Sequence, residues 1–122
     1  MKVRQRIIDV HAHVIPGVDD GSRTMEESVE MLKRAADQGI VGVIATPHYS
    51  RRHVLKGLND SAKLLQQEIR KTYPKFRIFP GQETFYHDEL AQRLNEGKAY
   101  TMADSQYVLV EFMPSVSYEI LF

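Results

Sequence analysis

Four strand-like segments of this chain each end on a histidine or a carboxylate, and stretches with helical periodicity separate them. Ile7 and Ile8 lead into Asp9-Val10-His11-Ala12-His13, and Val41-Gly42-Val43-Ile44-Ala45 runs into Thr46-Pro47-His48. Arg77-Ile78-Phe79 runs through Pro80-Gly81-Gln82 into Glu83, and Tyr107-Val108-Leu109-Val110 runs into Glu111. The order βαβαβαβ is that of a parallel sheet whose crossovers share one hand, so the carboxyl ends of its strands lie along one edge. His11, His13, His48, Glu83 and Glu111 are therefore expected to converge there, where α/β folds keep their active sites.

A strand repeats every two residues, so the rings of His11 and His13 leave the same face and can grip one cation. His-x-His is a weak signal by itself, equally open to a solvated or purely structural pair. The helices between the strands carry stronger local marks. Thr24-Met25-Glu26-Glu27 reads as a capping box, Met25, Val29, Leu32 and Ala36 form an apolar stripe, and Gly39 suits a left-handed stop. A second helix is expected from near Asn59 through Ala62, Leu65 and Ile69 to Tyr73-Pro74, and a short third from about Asp88 to Gly97. These stripes read as core-facing surface without chemistry.

Composition limits what such a sheet edge can do. Sixteen basic and sixteen acidic side chains cancel, which leaves no electrostatic footprint for a nucleic acid or an anionic membrane. Lys2, Arg4 and Arg6 precede an apolar run that Asp9 interrupts, too short for a signal segment, and nothing approaches a transmembrane span, so the expected location is cytoplasmic. With no cysteine, thiolate-bound zinc and a cysteine nucleophile are excluded, and hydrolysis has to use metal, carboxylate, imidazole or hydroxyl groups.

Ile8-Asp9-Val10-His11-Ala12-His13, Pro16-Gly17-Val18-Asp19-Asp20-Gly21, Glu26-Glu27-Ser28, Gln38-Gly39-Ile40, Ala45-Thr46-Pro47-His48-Tyr49, Pro80-Gly81-Gln82-Glu83 and Leu109-Val110-Glu111-Phe112 follow in order along almost the whole chain. In this ordered set the sequence resembles the PHP (polymerase and histidinol phosphatase) metal-dependent phosphoesterases, in the branch of bacterial protein-tyrosine phosphatases of CpsB/YwqE type. The resemblance implies a distorted seven-stranded, TIM-like parallel β/α barrel, of which residues 1–122 form a single partial domain: the N-terminal half, about the first four β/α units. It implies divalent ions, usually manganese, with iron or zinc also compatible with imidazole and carboxylate donors. Carried over by position, His11, His13 and Glu83 hold one ion, Glu83 bridges to a second held by Glu111, and Asp20 and His48 serve a third. Asp19, beside Asp20, is open to exchanging roles with it, and Asp9 is expected to orient one of the histidines from outside the ligand set.

The implied activity is hydrolysis of phosphotyrosine in proteins, the partner being a bacterial tyrosine kinase of capsule or exopolysaccharide synthesis. Phosphate monoesters repel nucleophiles, so ions that neutralise the phosphate oxygens and acidify water favour direct attack by hydroxide without a phospho-enzyme. A phenolate leaving group needs little acid assistance, but no residue here specifies tyrosine. His53 and His87 fall outside the motifs, with His87 the nearer to Glu83; Tyr49, Arg51 and Arg52 are open to a substrate-facing or a solvated reading.

Length is the main departure from the family, since the later strands carry a further histidine and an Asp-x-His pair that complete the cluster. Tyr118-Glu119-Ile120-Leu121-Phe122 reads as the opening of a helix. A four-stranded half-barrel exposes an edge and an apolar face. Three states follow: an inactive truncated half, a homo-oligomer that covers the open half-barrel, or a non-catalytic module with relic ligands. Two other hydrolase classes compare less well. Amidohydrolases share the His-x-His but place a lysine where Glu111 stands, and histidinol phosphatases carry a histidine where Asp19-Asp20-Gly21 stands.

Overall fold

Parallel strands do form, and they form in two tiers. The computed structural model describes residues 6–50 and 55–121. Strands β1 (Ile7–Ala12), β2 (Ile40–Ala45) and β4 (Arg77–Pro80) make one three-stranded parallel sheet in that order. Strands β3 (His48–Tyr49), β5 (Glu83–Phe85) and β6 (Leu109–Glu111) make a second, again parallel throughout. The second and third segments expected as single strands are thus each broken, at Thr46-Pro47 and at Gly81-Gln82. Prolines cannot donate to a ladder and favour such breaks. Hydrogen bonds carry the pairing across both: Thr46 N–H to the Ala12 carbonyl (2.8 Å), Gly81 N–H to that of Ala45 (2.9 Å) and Glu83 N–H to that of Pro47 (3.0 Å).

Helix α1 (Met25–Asp37) starts where the side chain of Thr24 accepts the Glu27 amide at 3.1 Å. It stops just before Gly39, whose φ of 101° only glycine adopts without strain. Its buried Ser28 donates to the Val14 carbonyl at 2.6 Å and so ties the helix to the segment leaving β1. Helix α2 (Leu58–Arg70) begins one residue before Asn59 and buries Leu58, Ala62, Leu65 and Ile69, spaced to line one face. These side chains meet Val43, Ala45 and Ile78 of the first sheet, together with Val14, Ile15, Leu32 and Phe76, in the main core. Helix α3 (Leu90–Asn95) is shorter than its sequence pattern and covers the second sheet, where Tyr49, Leu90 and Ala99 form a smaller cluster.

Helix α4 (Tyr118–Leu121) opens where the sequence suggests. Among the described residues β1 pairs only with β2, and β6 only with β5. Ile7, Ile8 and Val10 on β1 are 46, 50 and 55% exposed. No described helix is long and apolar enough to cross a membrane.

Candidate metal centre

The register of the second sheet sets His48 beside Glu83, and Phe85 beside Glu111. Strand β1 delivers His11 and His13 to the same edge, with a ladder irregularity between Asp9 and Ala12. The outcome is a compact knot of imidazole and carboxylate groups. One oxygen of Glu83, Oε2, lies 3.2 Å from His11 Nε2, 3.0 Å from His13 Nε2 and 3.4 Å from His48 Nδ1. His48 Nδ1 is also 3.4 Å from Glu111 Oε2, and its Nε2 is 3.2 Å from Asp20 Oδ1. The rings of His13 and His48 stack with centroids 4.6 Å apart.

Every ligand candidate from the sequence therefore arrives at one place. Three overlapping groups have donor atoms within 4.8 Å of one another: His11, His13 and Glu83; His48, Glu83 and Glu111; and His13, Asp19, Asp20 and His48. His13, His48 and Glu83 each belong to two of them.

The donor set fits a cation. Glu83 Oε2 is buried and accepts no hydrogen bond among the described residues, although three imidazole nitrogens lie within 3.4 Å. A buried carboxylate oxygen that accepts no proton is costly, and a divalent ion beside it removes that cost.

Asp19 and Asp20, adjacent in sequence, occupy different environments. The Asp20 side chain is 81% exposed and reaches His48 from the rim. That of Asp19 is 4% exposed; its Oδ2 meets His13 Nδ1 at 3.0 Å and accepts the His48 amide at 3.1 Å, while Oδ1 accepts the Gly21 amide at 2.9 Å. Burial would raise the pKa of Asp19, but the hydrogen bonds from His13, Gly21 and His48 outweigh it and hold the carboxyl below its ordinary range. The turn closes this tightly because residue 21 is glycine. A Cβ there would stand 2.3 Å from the His13 carbonyl oxygen and 2.5 Å from His13 Cβ.

Two expectations need correction. Asp9 does not reach a ring; its Oδ1 accepts the backbone amide of His11 at 3.0 Å, so it fixes the strand end, and Asp19 is the carboxylate that orients an imidazole. Tyr49 does not face the site either, being 1% exposed and packed with Leu90 and Ala99. His87 stands outside the three groups, its Nδ1 accepting the Glu89 amide at 3.3 Å. Arg51, Arg52 and His53 lie outside the described residues.

Residues 7–122 match the family model described as "Capsular polysaccharide synthesis, CpsB/CapC". The chain is 32% identical over 109 residues to the tyrosine-protein phosphatase YwqE of Bacillus subtilis, covering 87% of this chain and 43% of that protein. It is 31% identical over 120 residues to the tyrosine-protein phosphatase CpsB of Streptococcus pneumoniae, covering 92% and 47%. A solved structure from work on YwqE of B. subtilis and CpsB of S. pneumoniae, described as unique metal-dependent tyrosine phosphatases, superposes with a TM-score of 0.84 at 32% identity. That match covers 93% of this chain and 48% of the other. The chain thus spans about half the length of the relatives it matches.

Proposed function

The chain belongs to the CpsB/CapC family of capsular polysaccharide synthesis proteins, and on that premise we propose that it carries the N-terminal share of a metal-dependent tyrosine-protein phosphatase. The observation that carries the reading is the buried Glu83 oxygen, set among three imidazole nitrogens and accepting no hydrogen bond among the described residues. In this reading residues 1–122 supply the first four β/α units of a distorted seven-stranded PHP barrel as one partial domain. The likeness to the YwqE/CpsB structure and the two tiers of parallel strands support it.

His11, His13 and Glu83 hold one divalent ion, Glu83 and Glu111 a second, and Asp20 and His48 a third, the donors in each case lying within 4.8 Å of one another. Mixed imidazole and carboxylate donors suit manganese, with iron and zinc also accommodated. Bound there, such ions neutralise phosphate oxygens and lower the pKa of water at the phosphorus. The chain's own contribution is placement. Glu83 and the three histidines gather negative charge and lone pairs at one spot, Asp9 fixes the backbone that presents His11, and Asp19 accepts a hydrogen bond from His13 Nδ1–H so that Nε2 is left as the acceptor toward Glu83. A phenolate leaves with little acid assistance. The substrate is a phosphotyrosine protein, by family a bacterial tyrosine kinase of capsule synthesis, in the cytoplasm.

A second observation bears on the state in which the site works. The β1 edge and the exposed Ile7, Ile8 and Val10 favour cover by further polypeptide, either a second copy or the remainder of a barrel. The deciding experiment is hydrolysis of a phosphotyrosyl peptide by chelator-stripped chain to which manganese is restored. Turnover should depend on the ion and vanish in His13→Ala. Turnover indifferent to chelator, or a chain that binds no divalent ion, would overturn the reading.

A further inference from the structure

We propose that Asp19 is a positioning residue that couples the ion sites to one another, by fixing the His13 tautomer and the seat of His48 with the same carboxylate oxygen. This rests on the reading of the cluster as a metal centre. Oδ2 of Asp19 faces His13 Nδ1 at 3.0 Å and accepts the His48 backbone amide at 3.1 Å; Oδ1 is taken by the Gly21 amide at 2.9 Å. Both oxygens thus accept N–H groups, and the side chain is 4% exposed.

An ionised carboxylate only accepts, which puts the proton of His13 on Nδ1 and leaves the Nε2 lone pair facing Glu83 Oε2 at 3.0 Å and His11 Nε2 at 3.3 Å. The same oxygen holds the first residue of β3, whose ring meets Asp20, Glu83 and Glu111 at 3.2 to 3.4 Å. A shift of His13 on ion capture therefore moves the acceptor that seats His48. The His11/His13/Glu83 group and the Asp20/His48 group fill together.

Asp19→Asn is the discriminating variant, because it is isosteric yet can turn an N–H₂ toward His13. That reverses the tautomer, places a proton on Nε2, where the ion should bind, and sets the same N–H₂ against the His48 amide, so both sites are disturbed together. Two readouts are taken on the same samples. Long-range ¹⁵N–¹H spectra of ion-free chain, at a pH where imidazole is neutral, report which nitrogen of His13 is protonated. Titration with zinc, followed by calorimetry and by the same spectra, reports affinity and whether the His13 and His48 signals move together. Wild type should show Nδ1–H and a joint shift, whereas Asp19→Asn should show Nε2–H, zinc binding about 10–100-fold weaker, and separate shifts. Asp19→Ala, with far-UV circular dichroism to confirm the fold, should weaken zinc binding without enforcing either tautomer.

A wild-type chain that binds zinc with His13 in the Nε2–H form overturns the role of Asp19 alone, as does an Asp19→Asn variant that binds zinc as tightly as wild type. A wild-type chain that takes up no zinc overturns the proposed function, and the coupling with it, even where His13 keeps its Nδ1 proton.

Discussion

Glu83 shows how single atoms decide what this sheet edge is for. A buried carboxylate oxygen without a hydrogen bond destabilises a fold by about 1–3 kcal/mol, and here it faces three imidazole nitrogens that give it none. Glu83→Gln keeps the shape and removes the charge. In ion-free urea unfolding the variant should be more stable than wild type by about 1 kcal/mol. In manganese the order should reverse, because the rise in melting temperature produced by the ion in wild type should be lost. A variant that melts lower without ions and still gains from them would place the ion elsewhere. Five of the six ligand candidates were legible in the sequence because each follows a β-rich run, and parallel topology leaves the carboxyl end of such a run one place to go, whereas Asp20, in the turn after β1, came only from the family resemblance. The division of labour between Asp19 and Asp20 was not. Adjacent carboxylates in a polar turn look alike on paper, and they differ only in that folding buries one against His13 and His48 and leaves the other on the rim.

Among the elements, the helices were more legible than the strands. Thr24, Gly39 and the stripe of Ala62, Leu65 and Ile69 act through neighbours three or four residues away, so local sequence suffices to place them. The breaks at Thr46-Pro47 and Gly81-Gln82 lie at or beside a proline, but which strands pair on either side of them is set by partners far along the chain, which no local pattern encodes. Two consequences belong at this scale. Leu65 is 0% exposed in the main core, and Leu65→Ala should cost about 2–5 kcal/mol in urea unfolding. A loss under 1 kcal/mol, to take about half the lower bound, would mean that α2 does not pack as described.

The contact between helix ends is pH-dependent. Tyr73, just beyond α2, donates its hydroxyl to Asp37 at the end of α1, and this hydrogen bond to a carboxylate raises the tyrosine pKa above its ordinary value. For a group whose pKa is higher in the folded state, the stabilisation is complete below the unfolded-state value and is lost as pH rises through the folded one. Wild type should therefore exceed Tyr73→Phe in stability at neutral pH. The gap should close above the ordinary tyrosine range, in step with phenolate absorbance. A gap that persists after the phenol has ionised would assign the difference to packing.

At the scale of the whole molecule, the described residues form a complete core on one side and an unfinished surface on the other. Leu32, Leu58, Leu65 and Ile69 are all but inaccessible to water, whereas Ile7, Ile8 and Val10, on the outermost strand of the first sheet, are about half exposed. An unpaired edge with apolar side chains pairs with another edge when one is offered. The relatives that this chain matches at 31 and 32% identity are about twice its length. For the chain alone the expected outcome is concentration-dependent self-association through β1. Light scattering should give a mass above that of one chain, falling toward it on dilution. Ile8→Lys puts a charge on that strand, three residues before the first ligand candidate, and should lower the mass at a given concentration without changing the manganese-dependent gain in melting temperature. If the mass falls and the ion response stays, the edge and the candidate metal centre are independent features of the chain. If the ion response falls with the mass, the metal centre is completed across the interface, and ligands from the second copy have to be sought there. A wild-type chain that stays monomeric throughout would show that β1 is stable as a bare edge.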